Sequence, residues 1–496
     1  MLVVKCNQDQ FVYDIHSLMK SFYPAEDVKV FVEGEKTLSS DRNLPEFFLY
    51  FYDENNGFKN QTKVRFEIRK DGILQSAGEG EADEALPKNE YRNLLKKVMY
   101  EELSKYTGIT LPWGNLTGIR PTQIPYMLLA QGESEAYCVK WMQKKYGCSE
   151  KKAVLAADIA KREHEILRRL HRGTGYSLYI GIPFCPTTCL YCSFTSYPIS
   201  AFRRKVSDYL TALEKEIDYV SEAFKERTLD SIYIGGGTPT TLEAAELDRL
   251  LSYVESHIDL STALEFTVEA GRADSITEEK LRVLLNHGVT RISINPQTFK
   301  EETLKLIGRR HTVKQVDDAY ALAKRMGFTN INMDLILGLP DETEEDVADT
   351  LKHAKELAPD SLTVHSLAIK RASRMNQWIQ ENGIDCLKNT DAAMELAMEA
   401  AKEMDMKPYY LYRQKNMSGN FENVGYAKEG KYGIYNILIM EELQDIVALG
   451  AGTVSKRVFH DKEGRIRRCD TVKDVNLYMD EIEEMIDRKR KLFGNE

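Results

Sequence analysis

The stretch Tyr179–Phe194, "YIGIPFCPTTCLYCSF", places three of the chain's eight cysteines within eight positions. An apolar run of strand character enters it and an aromatic closes it. Cys185, Cys189 and Cys192 are spaced C-x3-C-x2-C. Three thiolates on one short loop hold three irons of a cubane cluster and leave the fourth iron open to a further ligand. A structural zinc site instead wants four ligands, commonly in two pairs. No second pair accompanies this loop, and the nearest histidine, His171, sits on the far side of the preceding strand. Zinc and plain burial of the thiols stay open as alternatives; the spacing favours an iron–sulfur cluster with an open iron.

Outward from the loop, apolar β-branched runs alternate with amphipathic stretches six times. The runs are "SLYIGIPF", "SIYIGGG", "EFTVEAG", "RISINPQ", "NINMDLILGLP" and "SLTVHSLA", with helical periodicity near 206–224, 244–256, 278–286, 313–326 and 344–356. Near-continuous apolar strands separated by single helices indicate a parallel sheet covered by helices. Six units predict an α/β fold, a partial (β/α)6 barrel, whose chemistry gathers at the carboxyl ends of the strands. Those ends read, in order, as the cysteine loop, Gly235–Gly237, Glu269, Gln297, Asp334 and His365. Every unit ends in glycines or a polar group suited to a ligand.

The flanks differ. Residues 1–108 mix strand-like runs with one helical segment and predict a small α+β domain. Residues 109–172 are helical in period, and Arg162, Arg168, Arg169 and Arg172 make their end basic. A solvated face accounts for that charge, with an anion-binding patch as the sharper alternative. The barrel is expected over 173–385. Residues 386–496, with a helix, the tyrosine-rich "PYYLYRQK" and "DIVALGAG", are read as a C-terminal α+β extension acting as a lid or substrate domain.

With 496 residues, 43% of them hydrophobic and 29% charged, the composition is that of a soluble globular protein. A formal net charge of −10 argues against a nucleic-acid partner. No apolar run approaches the length of a membrane span, and the start lacks the pattern of a secretory signal. A cytoplasmic location is expected, where clustered cysteines suggest metal and scattered ones are inert.

C-x3-C-x-Y-C after a strand, with "GGGTP" after the next strand, resembles the radical S-adenosylmethionine superfamily. "LYIGIPFC" with "CSF" and "IGGGTPT" is similar to the oxygen-independent coproporphyrinogen oxidase group, and "PWGNLTGIRPT" to its HemZ-type members. The resemblance implies that Cys185, Cys189 and Cys192 ligate a 4Fe–4S cluster whose open iron takes the amino and carboxylate groups of S-adenosylmethionine. An electron from the reduced cluster would split the sulfonium into methionine and a 5′-deoxyadenosyl radical. Gly236, Gly237 and Thr238 match the family's contact to the cofactor's amino group, where glycines admit a close backbone approach. Glu269, Gln297, Arg309 and Asp334 match residues that hold the same cofactor. Asp334 and Gln297 suit ribose hydroxyls, Arg309 suits the methionine carboxylate, and Glu269 its cationic or polar side. Tyr191 is expected to pack on the adenine and Tyr179 to stand ahead of the cluster. Ala368 and Val454 correspond to further, backbone-type contacts.

By the same resemblance the protein is an anaerobic oxidoreductase of porphyrin and heme biosynthesis, decarboxylating coproporphyrinogen III propionates to vinyls. Its partners would be a tetrapyrrole and a reducing electron donor such as flavodoxin or ferredoxin. The sequence departs from the true oxidases twice. Gly181 stands where they carry a histidine, and Phe194 where they carry a fourth cysteine. Two rival readings use the same scaffold. One is a heme-binding chaperone, with His365 or a tyrosine of "KPYYLYR" as ligand; the other is a radical methyltransferase or heme-opening enzyme.

Overall fold

The computed structural model describes residues 1–494 apart from 25, 36–38, 42, 56–59, 83–85, 119, 172, 371–372, 384–385, 388, 415–420 and 461–464. The chain forms two compact units, Met1–Asp158 with Arg413–Phe421, and Ile159–Tyr412 with Glu422–Glu496.

The first unit is built on strands β1 (Leu2–Cys6), β2 (Val28–Val32), β3 (Glu46–Asn55), β4 (Asn60–Lys70) and β5 (Ile73–Ala82), in the order β2-β1-β3-β4-β5. Alternation along β3 sends Phe47, Leu49 and Phe51 inward, where the helices Val12–Phe22 and Lys88–Thr107 cover them.

The second unit holds β6 (Gly175–Ile182), the short pair β7 (Phe184–Cys185) and β8 (Tyr197–Pro198), β9 (Thr228–Gly236), β10 (Glu265–Glu269), β11 (Arg291–Ser293), β12 (Ile331–Leu337), β13 (Ser361–Ser366), β14 (Lys407–Tyr412), β15 (Asn423–Ala427), β16 (Asp445–Leu449), β17 (Val454–Val458) and β18 (Ile466–Asp470). The six expected strands lie side by side and parallel, β6-β9-β10-β11-β12-β13. The intervening helices are stopped and started by local chemistry. Thr312 with Gln315 and Thr343 with Asp346 form capping boxes, and Gly327 ends one helix in the left-handed conformation. The sheet stays open, with β14 and β18 as its edges, so the barrel is partial.

The four segments expected from the sequence are redrawn by these contacts. The helical region 109–172 divides between the two units near Asp158, and Arg172 lies outside the described residues. Residues 386–496 do not stand as a unit of their own. Their strands extend the central sheet on both sides, β15 and β14 antiparallel beyond β13, and β16 parallel to β6. Both edges of a six-stranded open sheet carry unpaired backbone groups, and the C-terminal strands satisfy them. Among the described residues no helix is long and apolar enough to cross a membrane.

A buried ion pair ties the C-terminal helix to this sheet. Glu216, on the helix Val206–Ala223, accepts from Lys489 Nζ at 2.5 Å, Tyr478 OH at 2.6 Å and the Gly450 N–H at 2.7 Å. The two charged side chains are 0% and 1% exposed. Lys489→Met should therefore lower the unfolding free energy by about 3–5 kcal/mol, because it leaves a carboxylate buried without its cation. Denaturant unfolding checks this, and adding Glu216→Gln to the same chain should recover part of the loss.

Candidate functional site

Parallel pairing of β6 with β9 places Gly181 opposite Gly235 and Ile182 opposite Gly236. The cysteine loop and the glycine turn therefore leave the sheet together. Gly237 N–H donates to Ile182 O at 2.8 Å, Thr238 N–H to Phe184 O at 2.7 Å, and Thr238 Oγ1 reaches Cys185 Sγ at 3.5 Å. A Cβ on Gly237 would lie 2.6 Å from Phe184 O, while Gly236 has φ +101°. The first glycine is demanded by its own neighbouring chain and the second by a left-handed backbone. Room for a ligand is thus only one of the reasons for glycine here.

The cysteine loop is also held from its other side. Leu190 N–H donates to Ile307 O at 2.9 Å and Thr187 Oγ1 to Gly308 O at 2.8 Å. Burial pushes the Cys185 thiol up to about 12, with Cys189 and Cys192 adding to the shift. The Cys192 N–H donates to Cys189 O at 3.3 Å, which closes the end of the loop, and loading Cys185 with iron must displace its proton.

The next strand ends bring further polar groups inward. Tyr233 OH donates to Glu269 Oε1 at 2.6 Å, and the rings of Tyr233, Tyr179 and Tyr435 form a triangle with centroids 6.0, 5.8 and 4.6 Å apart for Tyr179–Tyr233, Tyr179–Tyr435 and Tyr233–Tyr435. Burial, reinforced by Asp334, pushes Glu269 up to about 7 against the opposing pull of Tyr233 and Arg291. Burial also opposes ionisation of Asp334, but His365, Asn332 and Arg291 outweigh it and hold that carboxyl below its ordinary range. Asn332 Nδ2 donates to Asp334 Oδ1 at 2.7 Å, and His365 Nε2 lies 3.8 Å from Oδ2. Gln297 is held at φ +71° by bonds from its N–H to Asp334 O and from the Ile336 N–H to its carbonyl, both 2.9 Å. Its Oε1 is buried with no hydrogen-bond partner among the described residues, as is Asn295 Oδ1 two residues earlier. A strained polar residue with an unmet acceptor at a strand end is the mark of a ligand position.

Arg309 is buried, its Nη1 donating to Gly271 O at 3.2 Å and its Nη2 to Tyr191 OH at 3.3 Å. Nη1 also donates to Asn295 O at 2.5 Å, so the guanidinium expected to meet a carboxylate locks the segments after β10 and β11 to the tyrosine of the cysteine loop. Its Nε has no partner among the described residues.

These contacts join the expected residues in groups: Cys185 with Thr238, Tyr179 with Glu269 through Tyr233, Gln297 with Asp334, and Tyr191 with Arg309, while Cys189 and Cys192 share the loop of Cys185 and Gly236 and Gly237 the turn of Thr238. Ala368 follows β13, half-buried, without joining them. Val454 opens β17 at 37% exposure, and its neighbours Ala451–Thr453 rather than Val454 line a cavity of about 50 Å³ beside Tyr179, Gly181 and Gly236. Phe194, 75% exposed, stands at the same cavity. A Cβ on Gly181 would lie 2.6 Å from Thr453 Cγ2, so a histidine there needs Thr453 to move. Arg272, whose Nη1 lies 4.0 Å from Cys189 Sγ, was not marked by the sequence reading; its only sequence signal is an arginine three positions past Glu269.

The residues present fit a 4Fe–4S cluster and S-adenosylmethionine: one short loop carries three thiols, and Gln297 Oε1, Asn295 Oδ1 and Arg309 Nε are buried without hydrogen-bond partners among the described residues. The Glu269 environment carries a pH signature. The folded chain holds an extra proton on Glu269 between about pH 4.5 and about 7, so stability falls as pH rises through that window. Glu269→Gln should flatten this slope, a difference of up to ~3 kcal/mol above it. Denaturant unfolding of the cluster-free protein across that pH range measures it.

Residues 179–354 match the family model of the radical SAM superfamily. Over 404 residues, 81% of this chain and 80% of the relative, the sequence is 43% identical to the oxygen-independent coproporphyrinogen-III oxidase-like protein HemZ of Bacillus subtilis (strain 168). It is 34% identical over 278 residues to the heme chaperone HemW of Lactococcus lactis subsp. lactis (strain IL1403), covering 56% of this chain and 68% of that one. Among solved structures, coproporphyrinogen III oxidase (HemN) from Escherichia coli covers 65% of this chain and 73% of its own at a TM-score of 0.51 and 23% identity, a likeness of fold. The cysteine loop, the glycine turn and the ordered strand ends are those of a radical SAM protein that uses a 4Fe–4S cluster and S-adenosylmethionine, and the chain belongs to the oxygen-independent coproporphyrinogen-III oxidase-like family.

Proposed function

We propose that this protein is a radical SAM oxidoreductase that decarboxylates coproporphyrinogen III propionates to vinyl groups without oxygen. The observation that carries the reading is the 43% identity, across four fifths of both chains, to a relative named as coproporphyrinogen-III oxidase-like. When bound, the cluster and S-adenosylmethionine would supply the radical chemistry by which a propionate loses a hydrogen atom, carbon dioxide and one electron, the last to an acceptor, and so becomes a vinyl group.

In this reading the chain's own residues bind and orient. Cys185, Cys189 and Cys192 hold the irons. Gly236, Gly237 and Thr238 face the cofactor's amino group, and Glu269 its polar side. Gln297 and Asp334 take the ribose hydroxyls, and Arg309 the carboxylate with the Nε it has left. Tyr191 is already held by Arg309 at its hydroxyl, which leaves the ring to meet the adenine. Ala368 and Val454 are assigned only backbone contacts, consistent with the exposure of the Val454 side chain. A reducing protein such as flavodoxin or ferredoxin supplies the electron, and the cytoplasm is the compartment that suits free thiols.

A second reading, heme carriage without turnover, is favoured by one feature. Gly181, crowded by Thr453, and Phe194 stand where the true oxidases carry a histidine and a fourth cysteine, and a relative named as a heme chaperone is 34% identical over 56% of this chain. His365 would be its ligand, held between Asp334 and Tyr412 OH at 3.3 Å from Nδ1.

Anaerobic incubation of the reconstituted, reduced protein with coproporphyrinogen III and S-adenosylmethionine should release protoporphyrinogen and 5′-deoxyadenosine. Cleavage of the cofactor with the tetrapyrrole unchanged overturns the substrate; stoichiometric heme retention without turnover supports carriage instead. Cys189→Ala should lose iron and both products, as read by metal analysis and product mass.

A further inference from the structure

Arg272 joins the two motifs that build the site. It follows β10 and is 2% exposed. Its Nη1 donates to Thr187 Oγ1 at 3.0 Å and Thr187 O at 3.3 Å, and lies 4.0 Å from Cys189 Sγ. Nε and Nη2 are held by the two oxygens of Asp274 at 3.0 and 2.8 Å, a bidentate pair that fixes the plane of the guanidinium. Behind Asp274 stands His311, whose side chain is 0% exposed, with Nδ1 at 3.8 Å from Asp274 Oδ1. At the other end, the Arg272 carbonyl accepts from Ser275 Oγ at 2.7 Å, and Ser275 Oγ meets Thr240 Oγ1 at 2.7 Å in the turn that follows the glycines. One residue therefore spans the cysteine loop and the glycine turn.

We propose that Arg272 is the positioning residue of the Cys189 leg, and that its N–H directed at the Cys189 sulfur raises the reduction potential of the cluster. Thr187 lies two positions before Cys189, so clamping its carbonyl and hydroxyl fixes where the middle cysteine presents its sulfur. Hydrogen bonds to cluster sulfurs stabilise the extra electron of the reduced state. Asp274 offsets the charge of Arg272, so the effect comes from a directed N–H rather than from net positive charge. A lysine keeps the charge but cannot chelate Asp274 and reach Thr187 and Cys189 together. The inference rests on cluster binding and not on the tetrapyrrole, and it stands or falls separately from the proposed reaction.

The test is an anaerobic redox titration, followed by electron paramagnetic resonance, of reconstituted full-length Arg272→Gln, Arg272→Lys and Asp274→Asn proteins without substrate. Iron content is measured alongside. Arg272→Gln should shift the midpoint to a more negative value. A tenfold weaker hold on the reduced state corresponds to about 59 mV for one electron. Arg272→Lys should fall between it and the parent. Asp274→Asn should shift the midpoint the opposite way, because the guanidinium loses its counter-charge. A full cluster in Arg272→Gln with an unmoved midpoint and unchanged spectrum overturns the proposal, as does a positive shift. If Arg272→Gln retains no iron, the other two variants decide, and parental midpoints in both overturn it.

Discussion

The structure turns on one close backbone approach, that of Gly237 to the Ile182–Phe184 segment. Gly237 and Thr238 donate to the carbonyls of Ile182 and Phe184, and a single added Cβ at Gly237 would press within 2.6 Å of one of them. This contact welds the glycine turn to the base of the cysteine loop before any ligand is present. It depends in turn on the parallel register of β6 and β9, which the crossover through the helix Val206–Ala223 makes possible. With the two loops joined, Thr238 reaches Cys185, and the remaining strand ends need only converge on a point already defined.

That convergence is reinforced by the strand on the other side of β6. β16 adds itself parallel to β6, and its terminal turn, Gly450–Gly452, packs against the same strand end. A Cβ on Gly450 would lie 2.5 Å from Gly181 O, and one on Gly452 would lie 2.2 Å from Thr195 Oγ1. Tyr209 OH donates to Gly181 O at 2.7 Å and accepts from the Ala451 N–H at 3.1 Å. The Glu216–Lys489 pair lies behind this turn. Buried charges are costly unless paired and hydrogen-bonded, and here the pair holds the terminus of a strand that borders the site.

Much of this was legible from residues alone because the relevant signals are local. Six apolar runs became six adjacent parallel strands, and the helices between them begin at capping residues that the sequence displays, such as Thr277, Thr312 and Thr343. Glu269 was recognisable because a polar residue ending an apolar strand has few structural uses, whereas Asp334, expected at a strand end, stands in the middle of β12 and Gln297 lies four positions beyond β11. The role of the C-terminal region was not legible. Its strands resemble those of a separate small domain, and their pairing with β13 and β6 joins segments far apart in sequence. Arg272 was hidden for a related reason. An arginine beside an aspartate two positions on reads as a surface ion pair, and only burial against Thr187 and Cys189 distinguishes it.

By itself, the sequence determined the cluster mount, the glycine turn, the β/α alternation and the membership of a radical SAM family, since each depends on spacing within one short stretch or one strand. Tertiary structure alone decided which glycines the backbone demands, which neighbour must yield before position 181 could carry a side chain, and how Arg309 is shared between carbonyls and Tyr191. It also decided that residues 386–496 complete the sheet. Those outcomes depend on contacts between residues tens to hundreds of positions apart, and local spacing carries no information about which distant backbone will come to lie within hydrogen-bond reach.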